Sequence, residues 1–135
     1  FIGIVHALEG SFNFTTHLHN GDPLTARTVR VPAGRPTVWN PPSDWESSAK
    51  DALLHDAVAH QADWGIARTL YRFERYNGMS YYKHSINSPY LWSFSNQYSK
   101  GKFVADKVYD ASAVSKQCGA AVMLRALVLA GDVAL

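Results

Sequence analysis

Among the acidic residues of this chain, Glu9 stands where a carboxyl group could act as an acid. It ends an apolar run (Phe1, Ile2, Ile4, Val5, Leu8) that reads as a buried helix, and Gly10 follows at once. A helix C-terminus already carries partial negative charge on its unpaired carbonyls. Leu8, Phe12 and Phe14 would desolvate the side chain as well. Both effects disfavour the ionised form and raise the pKa above its ordinary value of about 4.3. A carboxylic acid still protonated near neutral pH is what general-acid catalysis needs. The ordinary alternative is a surface Glu at a helix end, and position alone does not choose between the two.

A pair of carboxyl groups flanking a bond is the arrangement of glycoside cleavage. The partner for Glu9 should come from another element. Asp22 follows the Asn20-Gly21 tight-turn pair, and a hairpin returning past the end of the first helix would bring it opposite. Asp in an Asn-Gly-Asp-Pro sequence is also a natural turn residue. Glu74, between Arg72 and Arg75, reads as a helix-surface ion pair. Asp44, Glu46, Asp51, Asp56 and Asp63 read as caps or solvated groups.

Other chemistries find weaker support. Six histidines are present, and His17 and His19 would point the same way from a strand with Asp22 as a third group. No cysteine pairs with them and no HExxH occurs, so no metal site is expected. His17 and His19 fit better as hydrogen-bonding or sugar-contacting groups beside a cleft. No GxSxG, phosphate loop or dinucleotide motif appears, and no cofactor is expected. Cys118, the single cysteine, lies in an apolar stretch and reads as an inert core thiol. Between residues 76 and 98, Tyr76, Tyr81, Tyr82, Tyr90, Trp92, Phe94 and Tyr98 interleave with Asn77, Asn87, Asn96 and Gln97. Rings that are apolar on the body and polar at the tip suit sugar faces, and amides reach hydroxyls. Half of these rings should be core. Candidate sugar contacts are His19, Asn20, Tyr76, Asn77, Tyr90, Trp92 and Asn96.

Those groups need elements to hold them. The pattern predicts a first helix over 1–9, then a small hairpin or three-stranded sheet containing Thr28-Val29-Arg30-Val31, then an extended loop over 33–42. Ser43-Asp44-Trp45-Glu46 is a capping-box pattern that opens a helix to about Ala57, with Ala49, Ala52, Leu53 and Val58 inward. Asp63 caps a helix with Ile66, Leu70, Phe73 and Asn77 on one stripe, and Gly78 stops it. Ser88-Pro89 opens a short helix to about Ser95. Residues 96–109 read as connection. Asp110 or Ser112 caps a last helix, 113–129, apolar nearly all the way round and therefore expected to be buried and central. The fold class is α+β, mostly helical, with a small antiparallel sheet after the first helix and a buried C-terminal helix.

At 135 residues, the chain suffices for one domain with a real core. A net charge of +2 without a long Lys/Arg run is no nucleic-acid signature, though a weak cation would be drawn to a polyanionic wall. A single cysteine excludes an internal disulfide. No apolar run reaches the roughly 18 residues of a membrane span. The chain begins at Phe1 with no visible signal peptide, so the first helix is expected to be cut short. A monomer is expected.

Four segments carry a specific likeness: Val5 to Glu9, Leu18 to Thr25, Phe73 to Gly78, and Ile86 to Asn96. Over nearly the whole chain, to about Arg125, these resemble a bacterial and prophage group of lysozyme family proteins, similar to phage endolysins of the lysozyme superfamily. The resemblance implies a lysozyme-like fold over residues 1–135. It also implies cleavage of the β-1,4 bond between N-acetylmuramic acid and N-acetylglucosamine in peptidoglycan. Glu9 matches the superfamily's acid. In one class of phage lysozymes an acidic residue lies nine positions after that Glu, and a threonine six beyond it. Here position 18 is Leu18, but Asp22 and Thr28 keep the six-residue separation, and an insertion of four residues would reconcile the two. Thr28 would then orient the attacking water. Such an enzyme would be made in the cytoplasm and act on glycan strands of the wall. Two alternatives stand beside it: a lytic transglycosylase, which needs one Glu and no Asp22, and a non-catalytic wall-binding module.

Overall fold

The computed structural model describes residues 1–41 and 43–135. Pro42, the last residue of the loop expected over 33–42, lies outside the described residues. Among those described there are six helices and one two-stranded antiparallel sheet, and no helix is long and apolar enough to cross a membrane. The class is α+β. The chain packs as two compact units, Phe1–Ala62 and Asp63–Leu135.

In the first unit, α1 (Ile2–Gly10) buries Ile4, Val5, His6 and Leu8. It closes through two residues in the left-handed region, Ser11 (φ 50°) and Phe12 (φ 60°). Their amides reach back to the carbonyls of Ala7 and His6, a Schellman-type stop. Gly10 is still helical and serves by its size, because a Cβ there would stand 2.7 Å from Thr16 Oγ1. The rings of Phe12 and Phe14, expected to desolvate Glu9, lie against buried His6 instead, at centroid distances of 5.8 and 4.7 Å. The second helix, α2 (Trp45–His55), starts one residue later than the Ser43 capping box implied. Asp44 is the cap and accepts the Ser47 amide at 2.8 Å. Ala49 and Ala52 turn inward as expected, together with Ser48. The core joins Ile4, Val5 and Leu8 to Leu18, Ala49, Ala52 and Val58.

The hairpin or sheet expected between these helices is absent among the described residues. A lone antiparallel bridge, Thr16 to Pro23, is all the ladder there is. Residues 28–31 fail as a strand because their donors are already spent. The Thr28 amide goes to the Arg35 carbonyl, and the amides of Val29 and Arg30 go to the Asp22 carboxylate. The alternation is also inverted: Thr28 is buried while Val29 and Val31 are each 82% exposed.

In the second unit, α3 (Ile66–Tyr76) packs against α5 (Pro89–Trp92) and α6 (Ala120–Ala130), with α4 (Ser80–Lys83) between α3 and α5 in sequence. Gly65 rather than Asp63 is the N-cap of α3; Asp63 accepts the Gly65 amide instead. Phe73, Tyr81, Leu91, Ala120 and Leu124 form the core, while Ile66, expected inward, is exposed. Gly119 permits the α5–α6 approach, since a Cβ there would meet the Leu91 carbonyl oxygen at 2.2 Å. The sheet sits here, not after α1. Strand β1 (Lys102–Ala105) pairs with β2 (Val108–Asp110) inside the stretch that reads as connection. Phe103 anchors it, donating its amide to the Tyr81 hydroxyl at 2.8 Å and packing edge-on against Tyr81 and Tyr109.

The last helix is shorter and less enclosed than its composition implied. Asp110 spends its carboxylate on the amides of Ser112 and Ala113 rather than on a helix start. The helix begins only after Gly119, whose amide is held by the Ser93 carbonyl. Within α6 only Ala120 and Leu124 are buried, and Leu129 is 76% exposed.

These glycines make a paired test. Gly119→Ala should destabilise the fold by about 1–3 kcal/mol, because the new methyl meets fixed backbone. Gly3→Ala, in an open helical position, should stabilise it by about 0.5–1 kcal/mol. Chemical denaturation of both variants checks the two signs.

Candidate functional site

Glu9 is the half-buried penultimate residue of α1. The Asn20-Gly21 turn is laid directly on its backbone. Gly21 has φ 75°, and a Cβ on it would fall 2.1 Å from the Glu9 carbonyl oxygen, so only glycine fits. Asn20 fixes the turn with both ends of its amide. Its Oδ1 accepts the Asp22 amide at 3.0 Å, and its Nδ2 donates to the Arg30 carbonyl at 2.9 Å. The chain after α1 therefore does return past the helix end, as the Asn-Gly pair implied, but as a side-chain-pinned loop. Asn20 is a strut of that loop.

Asp22 is buried, and its carboxylate gathers the loop beyond it. Oδ2 accepts the amides of Val29 (2.8 Å) and Arg30 (2.9 Å), and Oδ1 accepts the Arg30 guanidinium. Burial works to raise this carboxyl, but the Arg30 and Val29 amides together with the Arg30 side chain outweigh it and hold the pKa below the ordinary range. Asp22 is thus a fixed negative charge beside the turn over α1, with its acceptor sites occupied. Thr28 is likewise committed. Its hydroxyl donates to the Pro32 carbonyl and accepts the Arg35 amide at 2.9 Å. The structure assigns both residues to holding the loop rather than to positioning a water.

Beneath the loop runs a buried polar network rooted in α2. His17 Nε2 faces the Ala26 carbonyl at 2.7 Å, so it carries the proton, and Nδ1 accepts from the Ser48 hydroxyl at 2.6 Å. His19 Nε2 meets Asp51 Oδ2 at 2.7 Å, and Arg35 clamps the same carboxylate with two nitrogens at 3.0 and 2.6 Å. His19 is 4% exposed, so its expected part in sugar contact gives way to a structural one. Its Nδ1 is buried with no hydrogen-bond partner among the described residues. Burial lowers its pKa, and the hydrogen bond and charge of Asp51 pull the other way without prevailing. His17, His19 and Asp22 do not converge on a metal, since each spends its donors or acceptors separately. Among the described residues no group of three or more His, Cys, Asp or Glu could hold a metal ion.

This unit also contains a cavity of about 540 Å3 walled by Phe14, Trp39 and Trp45, with Thr15, Thr25 and Asp44. Phe14 and Trp45 stand edge to face at 5.0 Å. None of these three rings is among the sugar contacts expected from the sequence. The available signal was a Trp inside the Asp44 capping turn, where α2 has no need of one.

In the second unit the expected sugar contacts divide. Asn77 is the C-cap of α3 and lines a cavity of about 590 Å3 with Tyr81, His84 and Phe103. Trp92 lines a smaller one of about 230 Å3 with Tyr71, Tyr82, Asn87 and Glu74. Tyr76 and Tyr90 are half-buried, and Asn96 is exposed, accepting from the Gln97 amide. Glu74 overturns its expectation. It is 6% exposed and forms no ion pair among the described residues, while Arg72 caps Trp64 at 4.5 Å and donates to the Asp63 carbonyl. Burial raises the Glu74 pKa, opposed by the Ser88 hydroxyl and the Tyr82 amide, which approach without closing a hydrogen bond of ordinary geometry. Position 74 lies one turn beyond Leu70 and next to Phe73, on the apolar stripe, and that spacing was the available signal.

The shifts fix a pH dependence. A folded His19 pKa below its unfolded value means that the unfolded state takes up protons first. Its contribution to stability is complete above the ordinary histidine pKa of about 6.5 and is lost as pH falls through the lower folded value. Asp22 acts likewise in a lower window, complete above about pH 4 and lost on further acidification. Thermal midpoints should fall from pH 7 to 5, and His19→Gln should flatten that segment while leaving the fall below pH 4. Asp51→Ala should cost about 2–4 kcal/mol by leaving Arg35 and His19 unpaired. Compared with family models, curated proteins and solved structures, the chain matches none.

Proposed function

We propose that this chain is a glycoside hydrolase that cleaves the β-1,4 bond between N-acetylmuramic acid and N-acetylglucosamine in bacterial peptidoglycan, with Glu9 as general acid. The observation that carries the reading is the setting of Glu9. It is half-buried at the C-terminal end of α1 and pinned there by the Gly21 turn, with the fixed charge of Asp22 on the same turn. Glu9 gives its proton to the glycosidic oxygen as the bond to the anomeric carbon breaks. Positive charge then develops on the sugar ring, and the Asp22 carboxylate, although paired with Arg30, offsets part of it electrostatically. Water adds to the anomeric carbon, and the proton it releases passes through solvent to the Glu9 carboxylate, which restores the acid. The likeness to lysozyme family proteins supports the substrate, and the enzyme would be made in the cytoplasm and act on wall glycan strands.

One observation favours a second reading, the lytic transglycosylase. The acceptor sites of Asp22 and the hydroxyl of Thr28 are spent within the loop, on its backbone and on the Arg30 guanidinium, which leaves neither suited to activate water. A transglycosylase uses the sugar's own 6-hydroxyl as nucleophile, and its product lacks one water.

Glu9→Gln keeps the size and hydrogen bonding of the side chain but has no acidic proton. It should lower the clearing of a turbid peptidoglycan suspension by at least about 100-fold with little change in thermal midpoint. Clearing at the parent rate would remove Glu9 from the mechanism. The mass of the released muropeptides separates the two enzymes, and capture of peptidoglycan with no sugar ends released would mark a binding module.

A further inference from the structure

The cavity of about 540 Å3 in the first unit serves no step proposed for Glu9. Its size falls in the usual range of roughly 300–1,000 Å3 for small-molecule pockets. Aromatic rings dominate its walls. Phe14 and Trp45 meet edge to face, with centroids 5.0 Å apart and planes at 72°, and so form a corner. Trp39 adds a third ring from the loop before α2. Phe14 stays 64% exposed, so the fold's own side chains do not fill that corner. One carboxylate joins the rings, that of Asp44 at the start of α2. Its two oxygens accept the Ser47 amide and the Ser47 hydroxyl, each at 2.8 Å. Those bonds hold the carboxyl below its ordinary range, so it is ionised at neutral pH.

The chemistry of the walls selects the ligand. Ring faces are electron-rich and attract a cation, more strongly where water is excluded. A fixed carboxylate beside them attracts the same sign of charge. The chain already makes such a contact elsewhere, with the Arg72 guanidinium 4.5 Å from the centre of the Trp64 ring. A sugar face would also suit the rings, but its hydroxyls need free hydrogen-bond partners. Here the nearest ones are engaged. The Thr15 hydroxyl donates to Asn13 Oδ1 at 2.8 Å, and the Asp44 oxygens cap α2. A primary ammonium has three N–H donors with the same need. A quaternary ammonium has none: it is a charge wrapped in methyl groups, and it wants only ring faces and an opposite charge. We propose that this cavity is a separate site for a quaternary ammonium group, held against Phe14, Trp39 and Trp45 with its charge balanced by Asp44. The site does not depend on Glu9 or on the proposed hydrolysis.

The test is an NMR titration of the full chain with tetramethylammonium chloride. Sodium chloride controls for salt, and tert-butanol serves as an uncharged molecule of similar size and shape. The indole N–H signals of Trp39 and Trp45 should shift with a Kd in the millimolar range, while that of Trp64, already covered by Arg72, stays in place. The alcohol should bind at least about tenfold more weakly. Asp44→Asn keeps a good helix cap but removes the charge, and it should weaken binding by about threefold to tenfold. Trp39→Leu should weaken it about threefold, and Trp39→Phe less. Should Trp39→Leu not fold, Asp44→Asn decides. No shift at the two indoles, equal binding of the alcohol, N-acetylglucosamine held there as tightly, or an affinity unmoved by these variants would overturn the proposal. Glu9→Gln should bind the cation as the parent does. Loss of cation binding with wall clearing intact sinks only this site, and the converse sinks only Glu9.

Discussion

One turn of α2 holds the first unit together. Ser48 and Asp51 reach out of that helix to His17, His19 and Arg35, and through them fix a long loop that has almost no ladder of its own. The contacts are charged or buried, so each is worth more than a surface pair and costs more when broken. Arg35 then passes its backbone to Thr28, and Thr28 closes on Pro32. Asp22 gathers Val29 and Arg30. The loop is a chain of side-chain knots tied to one helix face. The Gly21 turn that lies on Glu9 is the end of that chain nearest the proposed chemistry.

This arrangement separates two roles that a short motif runs together. Residues 17 to 22 look functional because they are polar and crowded. Burial shows that most of them are fasteners: His17 is fully buried, and His19 and Asp22 nearly so. What they fasten is the end of α1. A carboxyl group acts as a positioned acid only when its backbone cannot move, and a loop with saturated hydrogen bonds supplies that rigidity without a sheet. The second unit carries its polar surprise differently. Glu74 is buried with no hydrogen bond of ordinary geometry among the described residues, and burial favours its neutral form.

The legible parts of the fold were those written in local periodicity. The α1 run, the cap near Asp44, Gly78 after α3 and Pro89 at the start of α5 all announced their elements within one turn of the right place. The loop was illegible because its bonds span 31 residues from His17 to Ser48 and 16 from Arg35 to Asp51, and such pairs leave no period. The real hairpin was missed because Phe103-Val104-Ala105 lacks polar alternation and its turn, Asp106-Lys107, is not an Asn-Gly pair. In the site, the position of Glu9 and the return of the chain over it could be read, whereas the commitments of Asp22, Thr28 and His19 could not. Glu74 was masked by Arg72 and Arg75 beside it in sequence, of which Arg72 is spent on Trp64 and the Asp63 carbonyl.

Digestion of purified peptidoglycan in 18O-labelled water tests the central claim most directly. The account predicts one heavy oxygen at each new reducing end formed by the parent protein, and no new ends with Glu9→Gln. Unlabelled anhydro ends, or labelled ends produced as fast without the Glu9 carboxyl, would contradict it.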